Sequence, residues 1–268
     1  MKISGASQAV SSLGVTAVLP VPRVSLVIPT LNEAENLRWL LPRLPTWAHE
    51  IVIVDGCSTD GTPDVVRQLC PDARVVVEKR RGKGTALMRG FEAATGDVIV
   101  MLDADGSMDP EEIILFVAAL MSGADFVKGS RFIQGAGTVD MTLIRMLGNR
   151  ALTVVVRLLY GGSFSDLCYG YIGFWKRHFP ALASDCTGFE VETILNVRAL
   201  KSKLRVAEVP SFESVRRHGV SNLRALPDGW RVLKAIVRER ILPSLRPSRS
   251  APASVAAERS AFEGSSSS

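Results

Sequence analysis

The sequence predicts an α/β fold in which a mostly parallel sheet is covered by helices on both faces. In the first half of the chain, short runs of β-branched residues alternate with segments of helical periodicity, which is typical of parallel strands joined by crossover helices. The chain has 268 residues, of which 47% are hydrophobic and 22% charged, so it can bury a sizeable core. These observations together predict a three-layer domain.

The individual elements follow from the same patterns. Strands are predicted where β-branched runs are bounded by polar or glycine-containing segments, and helices where apolar residues recur every three or four positions, two of them opened by Pro63 and Pro110. The first half has strands at 24–28, 51–54, 74–78, 98–102 and 126–128, with helices at 33–41, 63–69, 85–94 and 110–121. The less regular second half has helices at 142–160, 189–199 and 227–240, with strands at 169–175 and 204–209, and we expect it to supply the acceptor side of a cleft.

Polar segments follow three of the predicted strands: 29–33, 55–61 and 103–105. Because ligands of parallel α/β sheets bind beyond the carboxyl ends of the strands, these segments predict one site. Asp103 and Asp105 are the most informative pair. In extended backbone, residues two apart face the same side, so both carboxylates could hold a hard divalent cation that bridges a diphosphate. That geometry indicates nucleotide-sugar chemistry.

Each polar segment also has a purely structural interpretation. Asp103 and Asp105 could be solvated turn residues ahead of a helix capped by Asp109. Asn32 with Glu35 fits a capping box, and Thr62 before Pro63 fits a helix start. Capping leaves Glu33, Asp55 and the paired acids without a role, so the joint pattern favours a site.

Motif spacing and composition argue against several other classes of protein. The Gly82-Lys83-Gly84-Thr85 segment lacks the earlier glycine of a P-loop, and no GxGxxG motif opens the first crossover. A formal charge of +5 suits anionic substrates or an anionic membrane surface, but the scattered basic residues and 6% aromatic content argue against nucleic acid. Four cysteines without a CxxC pair indicate a reduced, cytoplasmic protein, and three dispersed histidines indicate no zinc site.

Taken together, five segments resemble the family-2 inverting glycosyltransferases, and among them the polyprenyl-phosphate glycosyltransferases typified by dolichyl-phosphate mannose synthase. The resemblance covers roughly residues 23–240. The segments that carry it are Val27–Glu33, Ile53–Asp55 with Asp60-Gly61-Thr62, Arg81–Gly84, Asp103–Asp105 and Gly129–Phe132. The family implies a nucleotide-sugar-binding fold of the GT-A type, a Mg²⁺ or Mn²⁺ cofactor and a UDP- or GDP-linked donor, from which a hexose such as mannose moves to a polyprenyl phosphate.

The resemblance also implies roles for individual residues. Asp105 would be the main metal ligand, with Asp103 sharing the ion or lying beside the sugar. The donor-binding set would be Pro29, Asn32, Glu33, Asp55, Lys83, Asp103, Ala104 and Asp105. Arg131 and Arg216 would bind the acceptor or its phosphate.

Asp166 resembles the acceptor-side carboxylate of the family and would act as a general base, ahead of Glu190 and Glu192, or as an orienting group. A phosphate acceptor hardly needs a base, because its second pKa of about 6 leaves it largely anionic at neutral pH. Two departures from the family pattern stand out: Gly56 replaces a second acid after Asp55, and the basic stretch 216–222 ends in Ser-Asn instead of Ser-Lys.

The expected organisation is an N-terminal extension at 1–22, a glycosyltransferase domain at 23–240 and a disordered tail at 241–268, with donor and acceptor halves meeting near residue 132. No apolar run reaches the ~20 residues of a membrane span. Residues 146–160 fit either an interfacial helix or a core helix. We therefore expect a cytoplasmic protein, peripheral at the inner membrane face, with a separate membrane partner subunit. Two rival hypotheses stay open: a same-fold transferase acting on a soluble acceptor such as a secondary metabolite or glycerate-type acid, and a catalytically silent nucleotide-sugar-binding subunit.

Overall fold

A computed structural model describes residues 21–220 and 223–241 of the chain. Its strands are β1 (Val24–Thr30), β2 (Glu50–Asp55), β3 (Arg74–Val77), β4 (Val98–Met101), β5 (Phe126–Ser130), β6 (Gly137–Thr138), β7 (Ile172–Trp175), β8 (Val206–Pro210) and β9 (Phe212–Glu213). Its helices are α1 (Ala34–Leu40), α2 (Thr62–Leu69), α3 (Lys83–Ala93), α4 (Ile113–Met121), α5 (Leu143–Tyr160), α6 (Phe179–Leu182), α7 (Glu190–Lys201) and α8 (Ala225–Ile241).

Seven strands form the central sheet in the order β3-β2-β1-β4-β7-β5-β8. The neighbours pair in parallel except at β7, which lies antiparallel between β4 and β5. The predicted α/β fold with a mostly parallel sheet is therefore confirmed. Because β7 and β8 come from the second half of the chain, the expected donor and acceptor halves share one sheet.

The central strands β1, β4, β5 and β7 are buried along almost their whole length because both faces of the sheet are covered. On β1, Leu26 and Ile28 pack into a cluster with α1, α2 and α4, whereas Val27 packs on the other face with α3 and α7. This alternation follows from the two-residue period of a strand. The two clusters are the two interfaces of a three-layer arrangement, as the sequence predicts.

A third, smaller cluster lies outside these layers. Val156 of α5, Val197 of α7, and Val232 and Ile236 of α8 form its centre. It fixes α5 and α8 against α7, whose first turn lies beside the candidate site described below.

All the predicted elements are present, although their ends shift by a few residues. The pairing of β6 with β9 in a separate two-stranded sheet and the single-turn helix α6 were not predicted. One expectation is wrong: β4 ends at Met101, and residues 104 and 105 form a turn, so extended backbone does not run through Asp103 and Asp105.

The expected N-terminal extension and C-terminal tail lie outside the described residues, apart from positions 21, 22 and 241. Within the part of the chain that the structure describes, no helix combines the length and the apolar composition that crossing a membrane requires.

Candidate active site

The loops that follow β1 and β2 are tied together at the start of α1. The backbone N–H of Ala34 donates to Asp60 Oδ2 at 3.0 Å, and that of Glu33 donates to Thr62 Oγ1 at 2.9 Å. The capping-box interpretation of Asn32 is therefore wrong, because the second loop caps this helix. Asn32 instead has a φ of 58° and accepts from the Thr59 N–H at 2.8 Å. These hydrogen bonds join the loops after β1 and β2, which together form one rim of the candidate site.

Asp55 lies at the end of β2 and is buried. Its Oδ2 accepts from the Ser58 N–H at 3.1 Å, whereas its Oδ1 has no hydrogen-bond partner among the described residues although it is buried. A buried carboxylate oxygen without a partner carries its full desolvation cost. Asp55 is therefore ready to accept a hydrogen bond from a ligand.

The side chains of Asp103 and Glu192 share one cation. Lys83 Nζ lies 2.5 Å from Asp103 Oδ1 and 2.5 Å from Glu192 Oε1. Burial raises the pKa of Asp103 to about 6; Glu192 and Asp105 add to the rise, and Lys83 opposes it. Burial alone would lower the pKa of Lys83, but the two carboxylates outweigh it and hold that pKa above its ordinary value. Lys83 therefore stays charged.

The backbone around this group is tightly packed. A Cβ added to Gly170 would lie 2.7 Å from Glu192 Oε1 and 3.2 Å from Asp103 Oδ2. A Cβ on Gly84 would lie 2.1 Å from the carbonyl oxygen of Cys186. The missing side chain of Gly170 lets the backbone pass close to both acids, and that of Gly84 lets the start of α3 pack against the Cys186 carbonyl.

Asp105 has a different partner from Asp103. Arg216 Nη1 lies 3.2 Å from Asp105 Oδ2, and the same guanidinium also contacts Glu33 Oε1. The other oxygen of Asp105 accepts from the Ser107 N–H at 3.0 Å. Arg216 thus links Glu33, in the loop after β1, to Asp105, in the turn after β4.

The loop that carries Arg216 is anchored on α1. The Arg217 guanidinium lies 4.5 Å from the centre of the Trp39 ring, and its backbone N–H donates to the Asp105 carbonyl. The amide of Asn36 accepts from the His218 N–H at 2.9 Å and donates to the His218 carbonyl at 3.1 Å. Trp39 and Asn36 were not predicted as site residues, because a single sequence gives no signal for a contact across 180 positions.

Residues 221 and 222, which complete the basic stretch, lie outside the described residues. The predicted Ser-Asn departure from the family pattern therefore has no structural account.

Arg131 and Asp166 form a closed ion-pair network. Arg131 Nε donates to Asp166 Oδ2 at 2.6 Å and Nη2 donates to Oδ1 at 2.9 Å, while Nη1 lies 3.0 Å from both carboxylate oxygens of Glu213. Burial alone would raise the pKa of Asp166, but Arg131 and Lys128 hold it below its usual range. Both side chains are buried. The predicted acceptor-side roles of Arg131 and Asp166 stay predictions, and in this arrangement the oxygens of Asp166 are fully engaged.

The structure brings most of the predicted donor-side residues to one edge of the sheet. Glu33, Asp55, Lys83, Asp103 and Asp105 lie in or beside the loops after β1, β2 and β4, and Arg216, which was predicted to bind the acceptor or its phosphate, joins them there. Pro29 lies in β1 opposite Val54, half-buried, and Ala104 packs in the core. Ala104 therefore offers a ligand no side-chain surface.

Asp103 and Asp105 fit a divalent cation whose remaining ligands come from the substrate and water. Among the described residues, no three acidic, histidine or cysteine side chains gather into a cage. Mg²⁺ commonly takes one or two carboxylates and fills its other positions with phosphate oxygens and water. Asp105, with Asp103 beside it, meets that need, provided that the Arg216 guanidinium turns from Asp105 toward a phosphate.

Comparison with known proteins identifies the family. Residues 25–182, more than half of the chain, match the sequence profile described as glycosyl transferase family 2. The chain belongs to this family. It is 31% identical over 211 residues to the dolichol-phosphate mannosyltransferase of Pyrococcus furiosus, covering 75% of this chain and 59% of that protein. It is 31% identical over 219 residues to the polyprenol monophosphomannose synthase of Mycolicibacterium smegmatis, covering 77% and 83%.

Solved structures confirm the GT-A-like fold of this chain. Glucosyl-3-phosphoglycerate synthase from Mycobacterium tuberculosis, in complex with Mn²⁺, UDP and glucosyl-3-phosphoglycerate, superposes with a TM-score of 0.66 at 23% identity. The match covers 85% of this chain and 82% of that one. The family profile and the two relatives that are 31% identical confirm the sequence-based resemblance to the dolichyl-phosphate mannose synthase group.

Proposed function

We propose that this glycosyltransferase moves a hexose, mannose in the first instance, from a GDP- or UDP-linked donor to a polyprenyl phosphate with inversion at the anomeric carbon. The observation that carries the proposal is the meeting of Asp55, Asp103, Asp105, Lys83 and Arg216 at one sheet edge. The names of the two relatives that are 31% identical support the sugar and the acceptor.

Different residues of the site bind different parts of the nucleotide-sugar donor. Asp55 Oδ1, buried and without a partner, accepts a hydrogen bond from an N–H of the base or an O–H of the ribose. Arg216 exchanges its contacts with Glu33 and Asp105 for the diphosphate, whose oxygens suit a planar guanidinium. Lys83 remains charged between Asp103 and Glu192 and adds positive potential beside the sugar.

Asp105 and Asp103 would hold Mg²⁺ or Mn²⁺, which as a Lewis acid stabilises the charge that grows on the departing nucleoside diphosphate. In the transfer, an acceptor phosphate oxygen forms a bond to the anomeric carbon while the bond from that carbon to the diphosphate oxygen breaks. The diphosphate leaves with the bonding electron pair. No proton has to be removed, because a phosphate monoester is already largely anionic at neutral pH.

The pairing of Asp166 with Arg131 supports a phosphate acceptor over a hydroxyl acceptor. A hydroxyl group needs a general base, whereas both oxygens of Asp166 are occupied by Arg131. One observation favours the second candidate function, transfer to the hydroxyl of a soluble glycerate-type acid. Glu190 Oε2, in the first turn of α7, is buried without a partner among the described residues and could serve as that base.

The test measures transfer of labelled sugar with Mn²⁺ or Mg²⁺ to a polyprenyl phosphate and to phosphoglycerate, with products separated between organic solvent and water. We expect label in the organic phase and a loss of turnover on the order of 10²–10³ in Asp105→Asn, from the several kcal/mol that such an ion contributes. Asp109→Asn is the matched control, since Asp109 lies four residues after Asp105 and its side chain accepts from the Glu111 N–H at 2.9 Å.

Other results would redirect the assignment. Label confined to phosphoglycerate, lost in Glu190→Gln, would favour the soluble acceptor. Donor binding without transfer to either acceptor would favour the silent subunit. Full activity of Asp105→Asn would remove the proposed metal role.

A further inference from the structure

Cys57 differs from the other cysteines of the chain in its exposure. All four cysteines lie among the described residues, and Cys57 alone is exposed. Burial raises the pKa of the other three thiols, which belong to Cys70, Cys168 and Cys186, and that of Cys168 reaches about 12. Because the thiolate is the form of cysteine that reacts, those three are poor nucleophiles near neutral pH. A thiol reagent should therefore select Cys57.

The Cys57 thiol lies between the loops after β2 and β3. Strand β2 ends at Asp55, and two residues later Cys57 Sγ lies 3.8 Å from the carbonyl oxygen of Glu78, which follows β3. The Glu78 N–H in turn donates to the Asp55 carbonyl at 2.9 Å. Because β2 and β3 run parallel to β1 and β4, this is the sheet edge that carries Asp103 and Asp105.

A second observation marks this loop as part of a ligand site. Asp55 is 3% exposed, and its Oδ1 has no hydrogen-bond partner among the described residues. An acceptor left in that state gains from a donor on a bound molecule. Ser58, directly after Cys57, donates its N–H to Asp55 Oδ2 at 3.1 Å, and its Oγ accepts from the Asn32 N–H at 2.8 Å. A group attached to Cys57 would therefore disturb both the Asp55 carboxylate and the rim.

Exposed basic residues lie next to the thiol. Lys79, Arg80 and Arg81 directly follow Glu78, whose carbonyl oxygen faces Cys57 Sγ, and all three are exposed. Such a run attracts anionic molecules. Reactive cysteines characteristically have exposed, electropositive surroundings of this kind. The surroundings of Cys57 thus suit an anionic disulfide such as oxidised glutathione, as well as a nucleoside diphosphate.

We propose that Cys57 is a modification site that controls donor binding: its thiol exchanges with a small anionic disulfide, and the attached group excludes the nucleotide. The inference rests on the nucleotide-sugar donor that the proposed function places at Asp55.

The exchange needs only the disulfide as co-reactant. The Cys57 thiol loses its proton to solvent, and its sulfur attacks one sulfur of the disulfide. A new sulfur–sulfur bond forms as the old one breaks, and the departing thiolate leaves with the bonding electron pair and takes up a proton. Cys57 is thereby oxidised and the released half of the disulfide is reduced. A dithiol reductant reverses the step.

Ellman's reagent and oxidised glutathione test the proposal on the full chain. We expect one thiol to react rapidly in the folded protein, with mass spectrometry locating the label on Cys57. GDP or UDP with Mn²⁺ should slow this reaction about tenfold at a nucleotide concentration ten times Kd, because only the unoccupied fraction reacts. The glutathionylated protein should bind the nucleotide about tenfold more weakly or worse, the effect of losing a hydrogen bond to a charged group. Dithiothreitol should restore binding.

Three variants identify the thiol responsible. Cys57→Ser should lack the rapidly reacting thiol, and its nucleotide Kd should be the same before and after treatment with oxidised glutathione. Cys57→Gly should behave in the same way, and it keeps the loop free of strain because the φ of 66° at this position favours glycine. The matched control is Cys70→Ser, which removes a half-buried thiol directly after α2 and should stay as sensitive as the wild type.

The outcomes separate this inference from the proposed function. Unchanged nucleotide binding by the glutathionylated protein would overturn the modification site and leave the proposed function standing, and so would rapid labelling of a cysteine other than Cys57. Nucleotide binding that glutathionylation blocks, without transfer by the reduced enzyme to any acceptor, would support the modification site and remove the proposed function. If the reduced protein bound neither GDP nor UDP, both would be overturned.

Discussion

Asp166→Asn separates a structural role of the Arg131 network from a catalytic one. The substitution keeps the shape of the side chain but removes its charge and replaces one acceptor oxygen with an amide donor. In the wild type, Arg131 donates to both oxygens of Asp166 at 2.6 and 2.9 Å, and the side chains are 3% and 0% exposed. The amide would point N–H groups at a guanidinium that has only donors.

The expected cost follows from that burial. Removing one partner of a buried ion pair costs about 3–5 kcal/mol, because the remaining charge stays desolvated. For a domain of this size, 1 kcal/mol shifts Tm by about 2–4 °C, so Asp166→Asn should lower Tm by about 6–20 °C. Differential scanning fluorimetry without donor measures the shift.

The matched control is Asp185→Asn. Asp185 pairs with Arg238 at 2.7 Å, but both side chains are about 60% exposed, so the change should cost less than about 1 kcal/mol. If Asp166→Asn kept the wild-type Tm while transfer was abolished, Asp166 would be a catalytic group and the structural reasoning would be refuted. Retained transfer in the surviving folded fraction would agree with it.

Two further predictions concern other parts of the fold. Gly84→Ala should destabilise the protein by about 1–3 kcal/mol in urea denaturation, since the added Cβ would lie 2.1 Å from the Cys186 carbonyl oxygen. Gly148→Ala is the control: a Cβ at this position in α5 would meet open space, so the change should stabilise the protein by up to about 1 kcal/mol. Arg205 holds the pKa of Asp125 well below its usual range, so the ion pair of Asp125 with Arg205 stabilises the folded protein fully above pH ~4. That stabilisation is lost as the pH falls through the lower pKa that Asp125 has in the folded state. The free energy of unfolding measured on acidification should therefore fall less in Asp125→Asn than in the wild type, and equal slopes would contradict the assignment.

The sequence predicts the strands and helices well because burial on both faces leaves a strong local pattern. Strands β1 to β4 are rich in β-branched residues, and each crossover helix of the first half begins near a proline, a glycine or a polar residue. The antiparallel placement of β7 between β4 and β5 has no such signal. It depends on which edge of β4 is free once β1 has paired with the other edge.

The candidate site divides along the same line. Asp55, Asp103 and Asp105 could be predicted because each follows a strand of the parallel series, and topology alone brings such positions to one edge. Glu192 and Arg216 come from the irregular second half, and their contacts with Lys83 and Asp105 depend on packing that a single sequence does not encode locally.

The structure also changes how the Asp-Ala-Asp segment is understood. Because β4 ends at Met101, Asp103 and Asp105 do not act as a matched pair on one strand face. Asp103 is joined through Lys83 to α7, which packs on α5 and α8, whereas Asp105 is joined through Arg216 to Glu33 in the loop after β1. The two acids therefore belong to separate side-chain networks. A single alanine between them, within the turn, lets the two carboxylates contact different partners.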